Sequence, residues 1–266
     1  MLTFKSKPGL VVYVTCGDPD LATSRAVILA AIDAGADVIE LGVPFSDPVG
    51  DGPVIQYASE RALKNGTSLQ DVLRLAADLR EQRRDAGLII FSYLNPLLRF
   101  GLERFVKEAK SAGVDGVLLI DLTVEEADDY RAIMKAAGLA TIFLAAPTSP
   151  DQRLKKIAQA SGGFIYAVSR TGVTGAKLKT DTRGDAHQLV KRLKRFSRLP
   201  VAVGFGISSA QDFEEVGKYA DAAVIGSAIV RLIESETAKK SGPEKTATAV
   251  SAWIRSVTTR RKGTNA

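Results

Sequence analysis

The chain has 266 residues, of which 45% are hydrophobic, and carries a net charge of +6; this is enough apolar material for a full core and shows no composition typical of disorder. No apolar run approaches the ~20 residues of a membrane helix, and the opening MLTFKSKPG lacks an apolar core of signal-peptide length, so a cytoplasmic protein is expected. A lone cysteine, Cys16, excludes an internal disulfide and reads as a small buried thiol.

Along the chain, short β-branched runs alternate with longer amphipathic stretches. The predicted strands are 10–15, 38–41, 87–92, 116–120, 141–145, 164–167, 201–203 and 222–225, and the clearest predicted helices are 21–34, 69–82, 124–137 and 151–160. Gly35, Gly113 and Gly138 follow helix ends and suit left-handed C-caps. Eight alternating units predict a parallel (β/α)₈ barrel rather than an open doubly wound sheet. With no linker or break in composition, residues 1–266 are expected to form one domain. The longest connection, 42–68, follows the second strand, and a loop of that length is usually functional. The basic tail RSVTTRRK (255–262) has no nucleic-acid motif or aromatic platform beside it and reads as a solvated helix end.

The stretch IELGVPFSDPVGDGP (39–53) is the richest in chemistry. Ile39 and Leu41 suit the outer face of a barrel strand, which turns Glu40 inward. A carboxyl buried there needs a partner or a task, and desolvation raises its pKa as proton transfer in both directions requires. Asp47 and Asp51 stand in the following loop, and both fit either a functional role or plain turn formation. Three glycine-bearing segments, SRTGVTG (169–175), GFGIS (204–208) and IGSA (225–228), each follow a late strand. Backbone amides approach anions closely at such places, and barrels often bind phosphate after strands 7 and 8. Ser227 is expected as the N-cap of the last such helix. The only histidine, His187, lies in a polar helix start and reads as a surface residue, so zinc hydrolysis and Ser-His catalysis lack material. No lysine sits inside a predicted strand core, which argues against Schiff-base chemistry. Lys177 and Lys179 read as solvated loop residues, and Asp121 as a helix cap.

These residues resemble the tryptophan synthase α subunits, whose signature ELG-[IV]-PFSDP-x-x-DGP matches residues 40–53. The resemblance continues through SYLNPLLRFGLERF (92–105), SRTGVTGA, GFGIS and IGSAIV, and covers nearly the whole chain. It implies a TIM barrel that cleaves indole-3-glycerol phosphate into indole and glyceraldehyde 3-phosphate. The family's proton-shuttling glutamate falls on Glu40, its indole-binding aspartate on Asp51 and its active-site tyrosine on Tyr166. Its phosphate-binding glycines and serine fall on Gly175, Gly206, Gly226 and Ser227. It implies no metal and no cofactor, and a β subunit as partner in an α₂β₂ assembly. A stand-alone lyase and a non-catalytic phosphate-binding subunit are the alternatives. Three departures stand out. Only residues 1–9 precede the first strand where the family has a helix, so cover of the barrel floor is expected to be reduced or absent. Thr123 replaces a usual proline, and the loop 176–185 is atypical.

Overall fold

The computed structural model describes residues 2–168, 182–204, 206–259 and 262–263. In chain order the strands and helices are β1 (Ser6–Lys7), β2 (Gly9–Thr15), α1 (Leu21–Asp33), β3 (Val38–Gly42), α2 (Pro53–Lys64), α3 (Leu69–Gln82), β4 (Gly87–Ser92), α4 (Leu94–Phe100) and α5 (Leu102–Ser111). They continue with β5 (Gly116–Leu119), α6 (Asp128–Ala136), β6 (Ala140–Ile142), β7 (Leu144–Ala145), α7 (Asp151–Ala160), β8 (Ile165–Val168), α8 (Thr182–Leu193), β9 (Val201–Gly204) and α9 (Ala210–Gly217). The last are β10 (Ala222–Ile225), α10 (Ser227–Ala238), α11 (Pro243–Thr258) and β11 (Lys262–Gly263).

All strands from β2 to β10 pair in parallel, in the order β6-β5-β4-β3-β2-β10-β9-β8-β7. β6 and β7 are two halves of one predicted strand, interrupted at Phe143, whose carbonyl accepts from Tyr166 N at 3.1 Å. One half pairs with β5 and the other with β8, so the split strand closes the circle and the eight-unit barrel is formed. The inward side chains, Val11, Val38, Ile89, Leu118, Ile142, Ala202 and Val224, form one buried cluster. Their neighbours Val12, Ile39, Leu41, Leu88 and Ile90 belong to a second cluster packed against the helices. This alternation is the pleat of each strand, and it sets which residues reach the site.

Three aspartates fasten the floor end. Asp37, Asp115 and Asp221 each stand just before a strand, and their carboxylates accept from Leu10 N (2.8 Å), Leu88 N (3.0 Å) and Val201 N (3.0 Å) on the strand before. Their own carbonyls accept from Gly87, Ala140 and Gly9 on the strand after. Each therefore ties three consecutive strands and satisfies amides that burial would otherwise strand.

The floor is closed, contrary to the expectation from the short leading segment. Leu2 is buried within the inner cluster, and Phe4 packs on Phe164 with ring centroids 5.9 Å apart. The extended segment is held by β1, which pairs antiparallel with β11.

Two further expectations are corrected. Connection 42–68 is not one loop, because α2 occupies its centre behind the Gly52–Pro53 start, a favourable N-cap and first-turn pair. The predicted helix 124–137 begins only at Asp128. Before it, Thr123 forms a turn, its carbonyl accepting from Glu126 N and its hydroxyl bonded to the Glu126 carboxylate. Gly35, Gly113 and Gly138 have φ of 102°, 73° and 71°, as left-handed caps require. Cys16 is buried. Among the described residues no helix is long and apolar enough to cross a membrane.

Candidate active site

The catalytic end of such a barrel is where the strands' C-termini meet. Glu40 stands two residues before the end of β3, turned inward because Ile39 and Leu41 belong to the outer cluster. It is 1% exposed, and its Oε1 has no hydrogen-bond partner among the described residues. Burial alone pushes its pKa up to about 8. At neutral pH the carboxyl is therefore largely protonated, yet within reach of losing its proton.

Asp51 lies in the loop leading to α2, one residue before its N-cap, and is half-buried. Its Oδ2 accepts from Tyr93 Oη at 2.9 Å, and the same phenol oxygen accepts from Gly50 N at 3.1 Å. Burial raises the Asp51 pKa, and the Tyr93 bond opposes that rise. Phe45 packs beside the Tyr93 ring at 5.1 Å. Asp47 instead is exposed and bonded to the Ser46 hydroxyl. The structure thus separates two aspartates that the spacing left equivalent.

Across the barrel, Tyr166 turns inward from β8, and an added Cβ at Gly204 on β9 would sit 2.6 Å from its hydroxyl. Burial first, then the carboxyls of Glu40 and Asp51, hold this phenol far above its usual pKa. The two acids and the tyrosine therefore share one electrostatic environment. Gly206 follows β9 with φ +55°, and a Cβ there would meet nothing within 4 Å. Gly226 is the N-cap of α10, and Ser227 is its first residue rather than the cap. No described side chain caps this helix, so its first amides and the positive end of its dipole are available to an anion. Gly175 and the rest of SRTGVTG lie outside the described residues.

The bland readings hold for Asp121 and His187, while Lys177 and Lys179 lie outside the described residues. Asp121 Oδ1 accepts from Leu94 N at 2.8 Å and so caps the neighbouring α4, while His187 is exposed and stacked on Tyr219. Sequence reasoning gave no role to Tyr93 or Tyr13. Both face inward by strand alternation near the C-terminal ends of β4 and β2, a signal that parity alone carries.

The family model for the tryptophan synthase alpha chain matches residues 1–259. The tryptophan synthase alpha chain of Desulfosudis oleivorans is 48% identical over 239 residues, covering 90% of this chain and 89% of that one. That of Caulobacter vibrioides is 45% identical over 264 residues, covering 99% and 95%. A structure of Mycobacterium tuberculosis tryptophan synthase superposes with a TM-score of 0.84 at 34% identity, covering 95% of this chain and 92% of that chain. The tryptophan synthase complex of Pyrococcus furiosus does so with 0.84 at 36% identity, covering 96% and 99%. With the family model matching residues 1–259 and the barrel shared with the solved structures over almost the whole length, this chain belongs to the tryptophan synthase alpha chain family and so to tryptophan biosynthesis.

Proposed function

We propose that the chain is a carbon–carbon lyase that splits indole-3-glycerol phosphate into indole and glyceraldehyde 3-phosphate. The observation that carries this is Glu40, a buried carboxyl toward the C-terminal end of its strand, with one oxygen lacking a partner among the described residues and a pKa raised to about 8 by burial. Its acid form protonates indole C3, and the resulting indolenine is stabilised by Asp51, which accepts from the ring N–H. The Glu40 carboxylate then takes the proton of the hydroxyl on the carbon leaving C3. The C–C bond breaks, its electrons restore the indole ring, and the hydroxyl carbon becomes the aldehyde. One proton enters and one leaves through the same group, as general acid–base catalysis with a matched pKa allows.

Tyr166 lines the pocket, and Gly175, Gly206, Gly226 and Ser227 hold the phosphate. The open space at Gly206 and the uncapped start of α10 support that anion site. The steps use side chains alone. The proposed partner is a β subunit, in an α₂β₂ assembly that receives the indole, and the proposed location is the cytoplasm. Residues 1–266 act as one domain, a reading supported by a barrel whose strands run from residue 9 to residue 225.

The test is indole release from indole-3-glycerol phosphate by the wild type and by Glu40→Gln. The variant keeps size and polarity but cannot transfer the proton, and a loss of ~10²–10⁴ in rate is expected with binding largely retained. Turnover near the wild-type rate would remove Glu40 from the chemistry.

A further inference from the structure

Tyr13 is a buried phenol that the mechanism above does not use. It lies on β2 directly opposite Glu40 of β3 in the parallel register, with Thr15 opposite Gly42. Its ring leans over the neighbouring strand, where an added Cβ at Gly42 would collide with its hydroxyl. The ring is held edge-on to Phe91, centroids 5.0 Å apart, and packs with Ile55 and Ala58 of α2 and Val230 of α10. Glycine at 42 is thus the condition for this hydroxyl to stand above Glu40, just as Gly204 is for Tyr166 on the opposite side of the barrel.

The hydroxyl is also oriented. Its oxygen accepts from Thr15 Oγ1 at 3.2 Å, and no second partner besides that threonine is found for it among the described residues. A phenol proton buried without an acceptor costs free energy unless a ligand supplies one. Burial first, then the charge of Asp51 and, less strongly, that of Glu40 push its pKa up.

We propose that Tyr13 is a substrate-contacting residue that donates to the hydroxyl oxygen on the substrate carbon attached to the indole ring. This rests on the reading given under Proposed function. The geometry explains the choice of acceptor. In that reading Glu40 must reach both indole C3 and the proton of that hydroxyl, so the hydroxyl lies beside Glu40. The group directly across the strand pair from Glu40 is Tyr13. A donor there fixes the oxygen while its proton points to the carboxylate, and favours the charge that develops as the proton leaves. Thr15 acts one step behind as a positioning residue, because its bond turns the phenol proton into the pocket.

The experiment compares two ligands. One is indole-3-glycerol phosphate, read as kcat/KM. The other is an analogue whose two chain hydroxyls are replaced by hydrogen, read as its inhibition constant. Tyr13→Phe removes one oxygen and keeps the ring over Gly42. It is expected to lower kcat/KM for the substrate about tenfold, the size of one neutral hydrogen bond, while affinity for the analogue changes less than twofold. Thr15→Val should give the same selective loss to a smaller degree. The double variant should be no worse than Tyr13→Phe alone, since both act through one proton. Equal loss for both ligands would make Tyr13 a packing residue and overturn the proposal, as would no loss for either. If the wild type releases no indole from the substrate, the functional reading itself falls, and this proposal with it.

Discussion

Glu40 concentrates the energetic conflict of the site in one residue. Its ordinary pKa of 4.5 is raised to about 8 by burial, so between those values the folded chain holds a proton that the unfolded chain releases. The associated stability is fully present below about pH 4.5 and is lost as pH rises through about 8. Thermal unfolding of wild type and Glu40→Gln between pH 5 and pH 9 reads this directly. The variant should gain on the wild type as pH rises and level off above about 8, whereas parallel curves would mean that the carboxyl is not desolvated. Loss of the acid form should also bend kcat/KM downward above about pH 8. At the neighbouring acid burial also raises the pKa, but the proposed mechanism needs the ionised form. Tyr93 donates to Asp51 Oδ2 and opposes the rise in its pKa, so Tyr93→Phe should raise that pKa. In the proposed mechanism Asp51 is ionised when it accepts the indole N–H, and the acid limb of the pH–rate profile should therefore move to higher pH. A bond to a charged group is worth ~1.5–3 kcal/mol, and kcat/KM should fall by about tenfold to a hundredfold. An unmoved acid limb would show that Tyr93 does not tune Asp51.

At the scale of elements, the floor carries stability and the opposite end carries the proposed chemistry. Leu2 is 7% exposed, lies against Gly87 and Gly163, and seals the inner cluster from below. Leu2→Ala opens a cavity that the packed strand ends fill only in part, and deletions of this kind cost ~2–5 kcal/mol. Chemical denaturation should show that loss, with kcat/KM unchanged because the residue sits at the end of the barrel away from Glu40. A stability equal to wild type would mean that the leading segment does not close the floor. The helix starts show how local chemistry suffices where it is strong. α3 begins at a Ser68–Asp71 capping box, α1 at Asp20 and α9 at Ser209. α10 alone among these lacks a side-chain cap, and it is the helix whose start is proposed to meet the phosphate.

Among the described residues, three large apolar side chains stand exposed: Val49 in the loop before α2, Tyr57 on α2 and Leu98 on α4. All belong to segments that follow β3 and β4, the same end as Asp51. A partner seated there would hold the Asp51 loop and α2 in the closed arrangement, and its effect is bounded by its preference for that state. A preference of about 2–3 kcal/mol raises a rare competent population some 30- to 150-fold. Indole formation by the purified chain, then with saturating β subunit, measures this. A high rate alone with no rise on mixing would favour a stand-alone lyase.

The sequence by itself determined what depends on period and on near neighbours. Alternation turned Glu40 inward, helix spacing marked α3 and α7 at their observed bounds, and glycines marked the caps. The signature around Glu40 and Asp51 was also legible, because it is contiguous. Only the tertiary structure decided what depends on distant segments meeting. Asp37, Asp115 and Asp221 look like ordinary loop residues until the strands they bind are adjacent. Apart from the family signature, Asp51 parts from Asp47 through Tyr93, 42 residues away, which reaches it. Tyr13 acquires its position only because parallel pairing sets Gly42 beside its ring. Local pattern fixes which face a side chain takes, but desolvation and hydrogen bonding depend on everything that packs around it, and those set the chemistry.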